Sequence, residues 1–208
     1  MRPGLAALIL LAGCGPSAEE TARLEAETAL IAARATADAF QGELRDALAA
    51  AIAAEGAVGA VETCATIAPA LAETHARSTG ASVRRTALRV RNPASAPDAF
   101  EEASLRRLAA APLTRAGAPA ELHEVSGGEL RYMRALPTAG LCLQCHGPDV
   151  APEVKAAIAR LYPGDQATRF REGELRGAIS IRWPLRAAAL GPAPDASAGK
   201  VDSPAPST

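Results

Sequence analysis

The first element that the hydrophobic pattern predicts is a long amphipathic helix. Ser17-Ala-Glu-Glu20 has the form of a capping box, in which a serine and a glutamate three residues later satisfy free amides at a helix start. From there to about Ala54 the chain contains no proline. Apolar residues recur every four positions on one face: Phe40, Leu44, Leu48 and Ile52.

Gly56 and Gly59 interrupt this pattern, and a second helix is predicted from about Val58. Its apolar positions are spaced by three and four: Val61, Cys64, Ala68 and Leu71. Pro69 lies within this stretch and cannot donate to the carbonyl four residues back. We therefore expect a kink or a new helical turn at Pro69.

After Gly80 the pattern changes to the two-residue alternation of strands. Residues 82–91 alternate apolar side chains with arginines and end at Asn92-Pro93, which predicts a strand in a half-exposed sheet. Residues 121–136 predict a hairpin around Gly127-Gly128, and residues 176–183 predict a last strand.

Two shorter helices are predicted among these strands. Asp98 is placed to cap one that runs to about Ala111, and residues 153–161 form the other, before a turn at Pro163-Gly164. Helices and strands do not alternate in regular βαβ units, so the predicted fold class is α+β.

The two ends of the chain have compositions of their own. Met1-Arg2 and the apolar residues 5–12 resemble a secretory signal, too short to span a bilayer, and Leu11-Ala-Gly-Cys14 resembles a bacterial lipobox. Residues 1–14 are thus predicted to be a lipoprotein signal peptide, with Cys14 lipidated and residues 15–29 starting the helix. The alternative is a buried N-terminal helix with an incidental Cys14.

This signal predicts an exported protein, held on the periplasmic side of a bacterial membrane by its lipid alone. We expect no other membrane-crossing stretch in the chain. Residues 187–208 are rich in Ala, Pro, Ser and Gly, which predicts a disordered tail.

Composition narrows the classes of partner. The 208 residues carry a formal net charge of -1, so the chain lacks the basic surplus of nucleic-acid-binding proteins, and no nucleic-acid partner is expected. Hydrophobic residues make up 49% of the chain but aromatic residues only 3%. Such a thin core suits either a closely packed helix bundle or a domain that gains apolar volume from a bound cofactor.

Cys142-Leu-Gln-Cys145-His146 has the CxxCH pattern of c-type haem attachment. Two thiols at this spacing can add to the two vinyl groups of one haem, and the histidine that follows can ligate the iron. The alternatives are a redox-active CxxC, which would need a βαβ context, and half of a zinc site, which would need further ligands. The export signal favours haem over both.

Cys64 is left over once Cys14 and the CxxCH cysteines are assigned. It is predicted to be either an inert buried thiol or a second axial ligand opposite His146. Rival ligands are His75, His123 and Met133. Cys64 and His75 lie about 16 Å apart along a helix, so only one of them can ligate the same iron.

Arginines crowd the predicted strands: Arg84, Arg85, Arg89, Arg91, Arg131 and Arg134. One interpretation is a solvated sheet face that protects an edge strand. The other is that Arg85, Arg89 and Arg91 contact haem propionates, since a guanidinium matches a carboxylate geometrically.

Five separated motifs resemble a family of c-type haem proteins with a PAS-like haem-binding domain, the Tll-like domain family, formerly a domain of unknown function. They are Cys64-Ala-Thr-Ile-Ala-Pro69, Arg85–Pro93 with Ala96-Pro-Asp98 after it, Arg131–Leu136, Cys142–Gly147 and Arg176–Ser180. The resemblance implies a c-type haem domain over residues 30–186, with a central antiparallel sheet flanked by helices and a long N-terminal helix. It also implies that Cys64 and His146 are the axial ligands of one covalent haem.

The functional hypothesis is an exported haem lipoprotein that responds to redox state or to a small gas. A periplasmic electron-transfer cytochrome that meets a redox partner protein is the alternative. A peroxidase-like enzyme ranks third, because the sequence shows no set of distal acid and base residues.

Overall fold

The computed structural model describes residues 16–115 and 118–186, so Cys14, the signal segment and the tail at 187–208 lie outside the described residues. The helices in these ranges are α1 (Ala18–Thr79), α2 (Ala99–Ala109), α3 (Leu143–His146) and α4 (Pro152–Leu161). The strands are β1 (Ser82–Thr86), β2 (Thr114–Arg115), β3 (Ala118–Pro119), β4 (Glu121–Ser126), β5 (Glu129–Pro137) and β6 (Leu175–Pro184). Short 3₁₀ turns occupy Pro93–Ser95 and Gly140–Cys142.

The central sheet is antiparallel and has the strand order β1-β6-β5-β4, while β2 and β3 pair separately. The predicted hairpin is confirmed: β4 and β5 pair up to Ser126 opposite Glu129. Gly127 and Gly128 join them with φ of 59° and 81°, the left-handed conformation that a two-residue hairpin turn requires.

Helix α1 reverses direction at Gly56, the one residue within it that has non-helical backbone angles. On a straight helix Glu43 and His75 would lie about 48 Å apart at a rise of about 1.5 Å per residue. Their Oε2 and Nε2 atoms are instead 3.1 Å apart. Residues 18–55 therefore form a first arm and residues 57–79 a second arm, packed side by side. The predicted break is confirmed, whereas Pro69 lies within the second arm at helical angles.

By length and mean hydropathy α1 would pass as a membrane span, which the hydrophobic pattern did not lead us to expect. Its most apolar 18-residue stretch has a mean hydropathy of 1.4, and 17% of that stretch is buried. Alanine raises this value and is also the most favourable residue at exposed helix positions. The reversal at Gly56 and the packing of α1 on the sheet identify it as a pair of helical arms within this domain.

The helices cover both faces of the sheet. Small α1 residues such as Ala33 and Ala37 let the first arm approach one face closely, where Tyr132 and Ile181 are fully buried. Leu105 and Leu108 of α2 pack on the opposite face against Met133, Ala135 and Ala178. A third cluster joins the second arm of α1 to α4: Val61, Val150, Val154 and Ile158.

Strand β1 ends at Thr86, five residues before the predicted end at Arg91. The reason lies in the backbone hydrogen bonds. The Val90 carbonyl accepts from the Gln166 amide at 2.9 Å, so this part of the chain pairs with the segment after α4 and leaves the sheet. Arg89 and Arg91 therefore lie in a loop beyond the end of the strand.

The other predicted elements are confirmed with small shifts of their ends. Asp98 caps α2 through a capping box with Glu101, and Ser17 accepts the Glu20 amide at 3.1 Å at the start of α1. Helix α4 and strand β6 each begin one residue earlier than predicted.

Replacing Gly56 with Ala should lower the free energy of unfolding by about 1–3 kcal/mol, because its φ of 70° and ψ of -177° are essentially restricted to glycine. A Cβ at Gly56 would meet nothing within 4 Å, so the cost is conformational. Gly42→Ala is the matched control: its Cβ is equally free, but Gly42 has helical angles. The control should gain up to about 1 kcal/mol. Urea unfolding measures both, and an equal response would contradict the reversal at Gly56.

Candidate functional site

The CxxCH segment folds into two short consecutive turns of helix. The 3₁₀ turn Gly140–Cys142 leads directly into α3, which holds the remaining cysteine and histidine of the motif. Gly147 ends α3 by donating its amide to Leu143 O at 2.9 Å, an approach so close that a Cβ at this position would lie 2.6 Å from that oxygen. Cys142, Cys145 and Cys64 are all free thiols.

The imidazole of His146 is oriented by a single backbone group. Its Nδ1 lies 2.7 Å from Ala167 O. Because a carbonyl only accepts, Nδ1 carries the proton and Nε2 presents a lone pair. Burial lowers the pKa of His146 to about 2, and the charges of Arg176 and Arg91 act in the same direction. The ring is neutral at physiological pH, which is the state of a metal-ligating histidine.

The segment after α4 supports His146 on two sides. Phe170 meets the imidazole edge to face at a centroid distance of 6.2 Å and donates its amide to His146 O at 2.8 Å. Arg169 adopts φ 57°, an uncommon conformation for a residue with a side chain, and donates its amide to Gly147 O at 3.2 Å. The segment after α4 therefore lies directly against the CxxCH motif, although about twenty residues separate the two in sequence.

Arg91 connects the CxxCH segment to the segment after α4 through hydrogen bonds. Its Nη2 donates to Cys145 O at 2.6 Å, to Asp165 Oδ2 at 3.2 Å and to Ala167 O at 3.3 Å. Asp165 in turn accepts the Ala167 amide at 2.9 Å. The carbonyl that orients His146 therefore belongs to a residue that Arg91 and Asp165 hold in place.

Cys64 lies on the second arm of α1, at the end of the molecule that holds the CxxCH segment. Its neighbour Val61 packs in the same apolar cluster as Cys145. Burial raises the pKa of the Cys64 thiol, and the charges of Arg85 and Arg91 oppose that rise without cancelling it. Burial likewise raises the pKa of Cys145, with a contribution from Cys64 that reflects their proximity. The fold thus brings Cys64 close to the CxxCH segment.

Two further arginines face this region. Arg85 lies on the same sheet face as Val83, and its side chain reaches solvent although protein atoms surround much of it. Burial lowers its pKa, and the charge of Arg91 adds to the effect. Arg176 begins β6, and burial, helped by Arg85 and Arg91, lowers its pKa to about 9, so that it stays charged at neutral pH.

The sequence analysis did not name Arg176 as a site residue. The signal that could have found it is the motif Arg176–Ser180, which carries part of the family resemblance. Arg176 and Arg89 also line a cleft of about 220 Å³ beside Phe170.

The remaining arginines of the predicted cluster hold the fold together. Arg84 donates to Ala94 O and Ala96 O at 3.1 and 2.7 Å. Arg131 donates to Asp98 at 2.6 Å and stacks 4.5 Å from the centre of the Phe100 ring. Arg134 pairs with Asp38 of the first arm at 2.5 Å. Arg84, Arg131 and Arg134 thus bind other residues of the described chain and do not form a solvated sheet face.

The rival ligands lie elsewhere. His75 pairs with Glu43 at 3.1 Å and packs edge to face on Phe40. His123 is exposed on β4 opposite Tyr132. Met133 is fully buried between the sheet and α2. Within residues 16–115 and 118–186, no group of three or more His, Cys, Asp or Glu side chains is arranged to hold a metal ion.

The family model described as Tll0287-like matches residues 16–184, which is most of the chain. The chain belongs to the Tll0287-like family. Its sequence is 30% identical to the protein in the "Crystal structure of the cyanobacterial heme-protein Tll0287", with a TM-score of 0.50.

That match covers 59% of this chain and 71% of the Tll0287 chain. No curated protein matches. Membership of the Tll0287-like family and the antiparallel sheet between helices confirm the expected PAS-like α+β fold.

Arg91→Met should lower the free energy of unfolding of the haem-free chain by about 3 kcal/mol, because it leaves the buried carboxylate of Asp165 without its cationic partner. The Asp165 side chain is only 7% exposed. Arg89→Met is the matched control: its side chain is 44% exposed, and we expect a loss below about 1 kcal/mol. Urea unfolding of both variants measures the difference, and similar losses would show that the pair of Arg91 and Asp165 does not stabilise the site.

Proposed function

We propose that this chain binds one covalent c-type haem at the site formed by the CxxCH segment, the second arm of α1 and the ends of β1 and β6. The donor set suits that group. It offers two free thiols for the vinyl groups, a neutral imidazole with Nε2 as a lone pair, and a further thiol nearby. The buried Nε atoms of Arg91 and Arg176 also lack a partner in the described chain. The observation that carries the proposal is the hydrogen bond from His146 Nδ1 to Ala167 O directly beside the paired cysteines.

In this proposal Cys142 and Cys145 hold the haem covalently, His146 is one axial ligand and Cys64 is the other. The support for Cys64 is its position on the helical arm that packs over Cys145, close to Arg85 and Arg91. A thiolate ligand adds negative charge beside the iron and favours the ferric state, so we expect a low reduction potential.

A c-type haem supplies one-electron redox chemistry and, when an axial position is free, binding of CO, NO or O₂. The role of the chain's own residues is to hold His146 rigidly through Ala167 and Phe170 and to present Cys64 on a separate helical arm. Because the two proposed ligands belong to different elements, one of them can move without disturbing the other. We therefore propose a redox-responsive or gas-responsive haem protein rather than an enzyme.

A periplasmic electron-transfer cytochrome is the second candidate. Its support is the partial exposure of Cys142 and Cys145, which would bring one haem edge near the surface where a redox partner protein could approach. We also propose that the protein is exported and held by a lipid on Cys14 at the periplasmic side of a bacterial membrane, on the strength of the lipobox alone.

Covalent attachment is tested in a host that carries out cytochrome c maturation. The intact mass of the denatured wild-type chain should include one haem, and this haem should be lost from the Cys142→Ser/Cys145→Ser variant. Cys64→Ser is the matched control, because it should keep the covalent haem. A wild-type chain without haem would contradict the proposed function.

Exposure of the reduced holoprotein to CO separates the two candidate functions. A responsive protein should bind CO on reduction as Cys64 leaves the iron, with a large change in the visible spectrum. Replacing Cys64 with Ser should allow CO binding without that ligand exchange, and therefore faster. A wild-type spectrum that CO does not change would contradict gas response and favour the electron carrier.

A further inference from the structure

The four arginines around the candidate site fall into two pairs. Arg91 is committed to protein acceptors: Cys145 O, Asp165 Oδ2 and Ala167 O. Arg89 donates to Thr168 O at 3.0 Å, lies 3.8 Å from Glu174 and stacks 3.6 Å from the centre of the Phe170 ring. Nη2 of Arg91 and the guanidinium of Arg89 thus bind the polypeptide, whereas the buried Nε of Arg91 has no partner among the described residues.

Arg85 and Arg176 differ from that pair. Across residues 16–115 and 118–186, neither guanidinium makes a hydrogen bond or an ion pair with another residue. Arg176 Nε is buried without a partner, and its guanidinium has only the Phe170 ring beside it, 5.3 Å from the ring centre. A buried donor without an acceptor destabilises a fold, so its presence calls for a ligand that completes it.

The charges point to the chemistry of that ligand. Arg176 lies close enough to Arg85 and Arg91 for their charges, together with burial, to lower its pKa, and the nearby carboxylate of Asp165 is already bound to Arg91. Two positive charges, those of Arg85 and Arg176, are left without a partner among the described residues. A ligand with two carboxylates would neutralise both, and a guanidinium can bind a carboxylate through two parallel hydrogen bonds.

We propose that Arg85 and Arg176 bind the two propionate carboxylates of the haem, whereas Arg89 and Arg91 hold the protein around it. This inference rests on the proposed function. It differs from the sequence-based hypothesis, which placed the propionates on Arg85, Arg89 and Arg91 and omitted Arg176. A separate organic acid bound in the cleft beside Arg176 would use the same carboxylate chemistry, and the experiments distinguish it from a haem propionate.

The first experiment is resonance Raman spectroscopy of the full holoprotein. Arg85→Gln and Arg176→Gln should each shift the propionate bending bands, because each removes a charged hydrogen bond to a propionate. Arg106→Gln is the matched control: Arg106 is exposed on α2 and pairs with Glu102, so its bands should equal those of the wild type. Bands that stay unchanged in both site variants would overturn the inference.

The second experiment measures binding in a Cys142→Ala/Cys145→Ala background, where haem is held non-covalently. Arg85→Gln and Arg176→Gln should each weaken haem binding about tenfold or more, the usual effect of losing a charged hydrogen bond. Binding of haem dimethyl ester, which lacks free carboxylates, should not change. Equal weakening for haem and its ester would overturn the inference and point to a structural role or to a separate acid.

Unfolding of the haem-free full chain provides a readout that a merely structural arginine would not give. Arg176→Gln should raise the urea midpoint, because it removes a buried charge that has no partner without haem. A lower midpoint would mean that the protein itself satisfies Arg176 and would overturn its assignment. A wild-type chain that retains no haem would overturn both the inference and the proposed function, whereas haem retained with unchanged bands would overturn the inference alone.

Discussion

The guanidinium of Arg91 connects three segments that are far apart in sequence. It reaches from the loop after β1 to the carbonyl of Cys145 in the CxxCH segment and to Asp165 and Ala167 after α4. Hydrogen bonds to charged groups are worth more than neutral ones, and those in a half-buried place are screened less by solvent. The position of His146 depends on this connection, because the carbonyl that fixes its tautomer belongs to Ala167.

Two different kinds of contact hold His146 and Cys64 in the fold. His146 is fixed from three directions, by Ala167, by Phe170 and by the end of α3 at Gly147. Cys64 arrives on the second arm of α1, which meets the rest of the site through an apolar cluster. Contacts of that kind are not directional and tolerate small displacements better than a hydrogen bond does. The proposed response to redox state or to a gas depends on this arrangement, in which a firmly held histidine and a thiol belong to separate elements.

The sequence predicts the main elements of the fold because their signals are local. The capping box at Asp98, the two glycines at 127 and 128 and the four-residue repeat in α1 each specify their own structure. The end of β1 could not be predicted in this way. Leu88 and Val90 alternate like strand residues, but Val90 O pairs with Gln166, and only the folded chain shows that partner.

The residues of the candidate site also differ in whether a local sequence signal predicts them. CxxCH is a local motif, so its residues can be predicted from the pattern alone, whereas the pattern leaves Cys64 open between an inert thiol and a ligand until the family resemblance favours the ligand role. Arg176 was not predicted, because the property that distinguishes it, a buried Nε without a partner among the described residues, is not visible in a pattern of residue types. Proximity in sequence also grouped Arg84 with Arg85, Arg89 and Arg91, although Arg84 binds the loop at 94–96.

X-ray absorption at the iron edge of the ferric holoprotein tests the central claim most directly, because it counts the sulfur atoms bound to iron. The wild-type protein should show one sulfur at bonding distance together with nitrogen ligands, and Cys64→Ser should show nitrogen and oxygen ligands without sulfur. Identical spectra for the two proteins would contradict the claim that His146 and Cys64 meet at one iron.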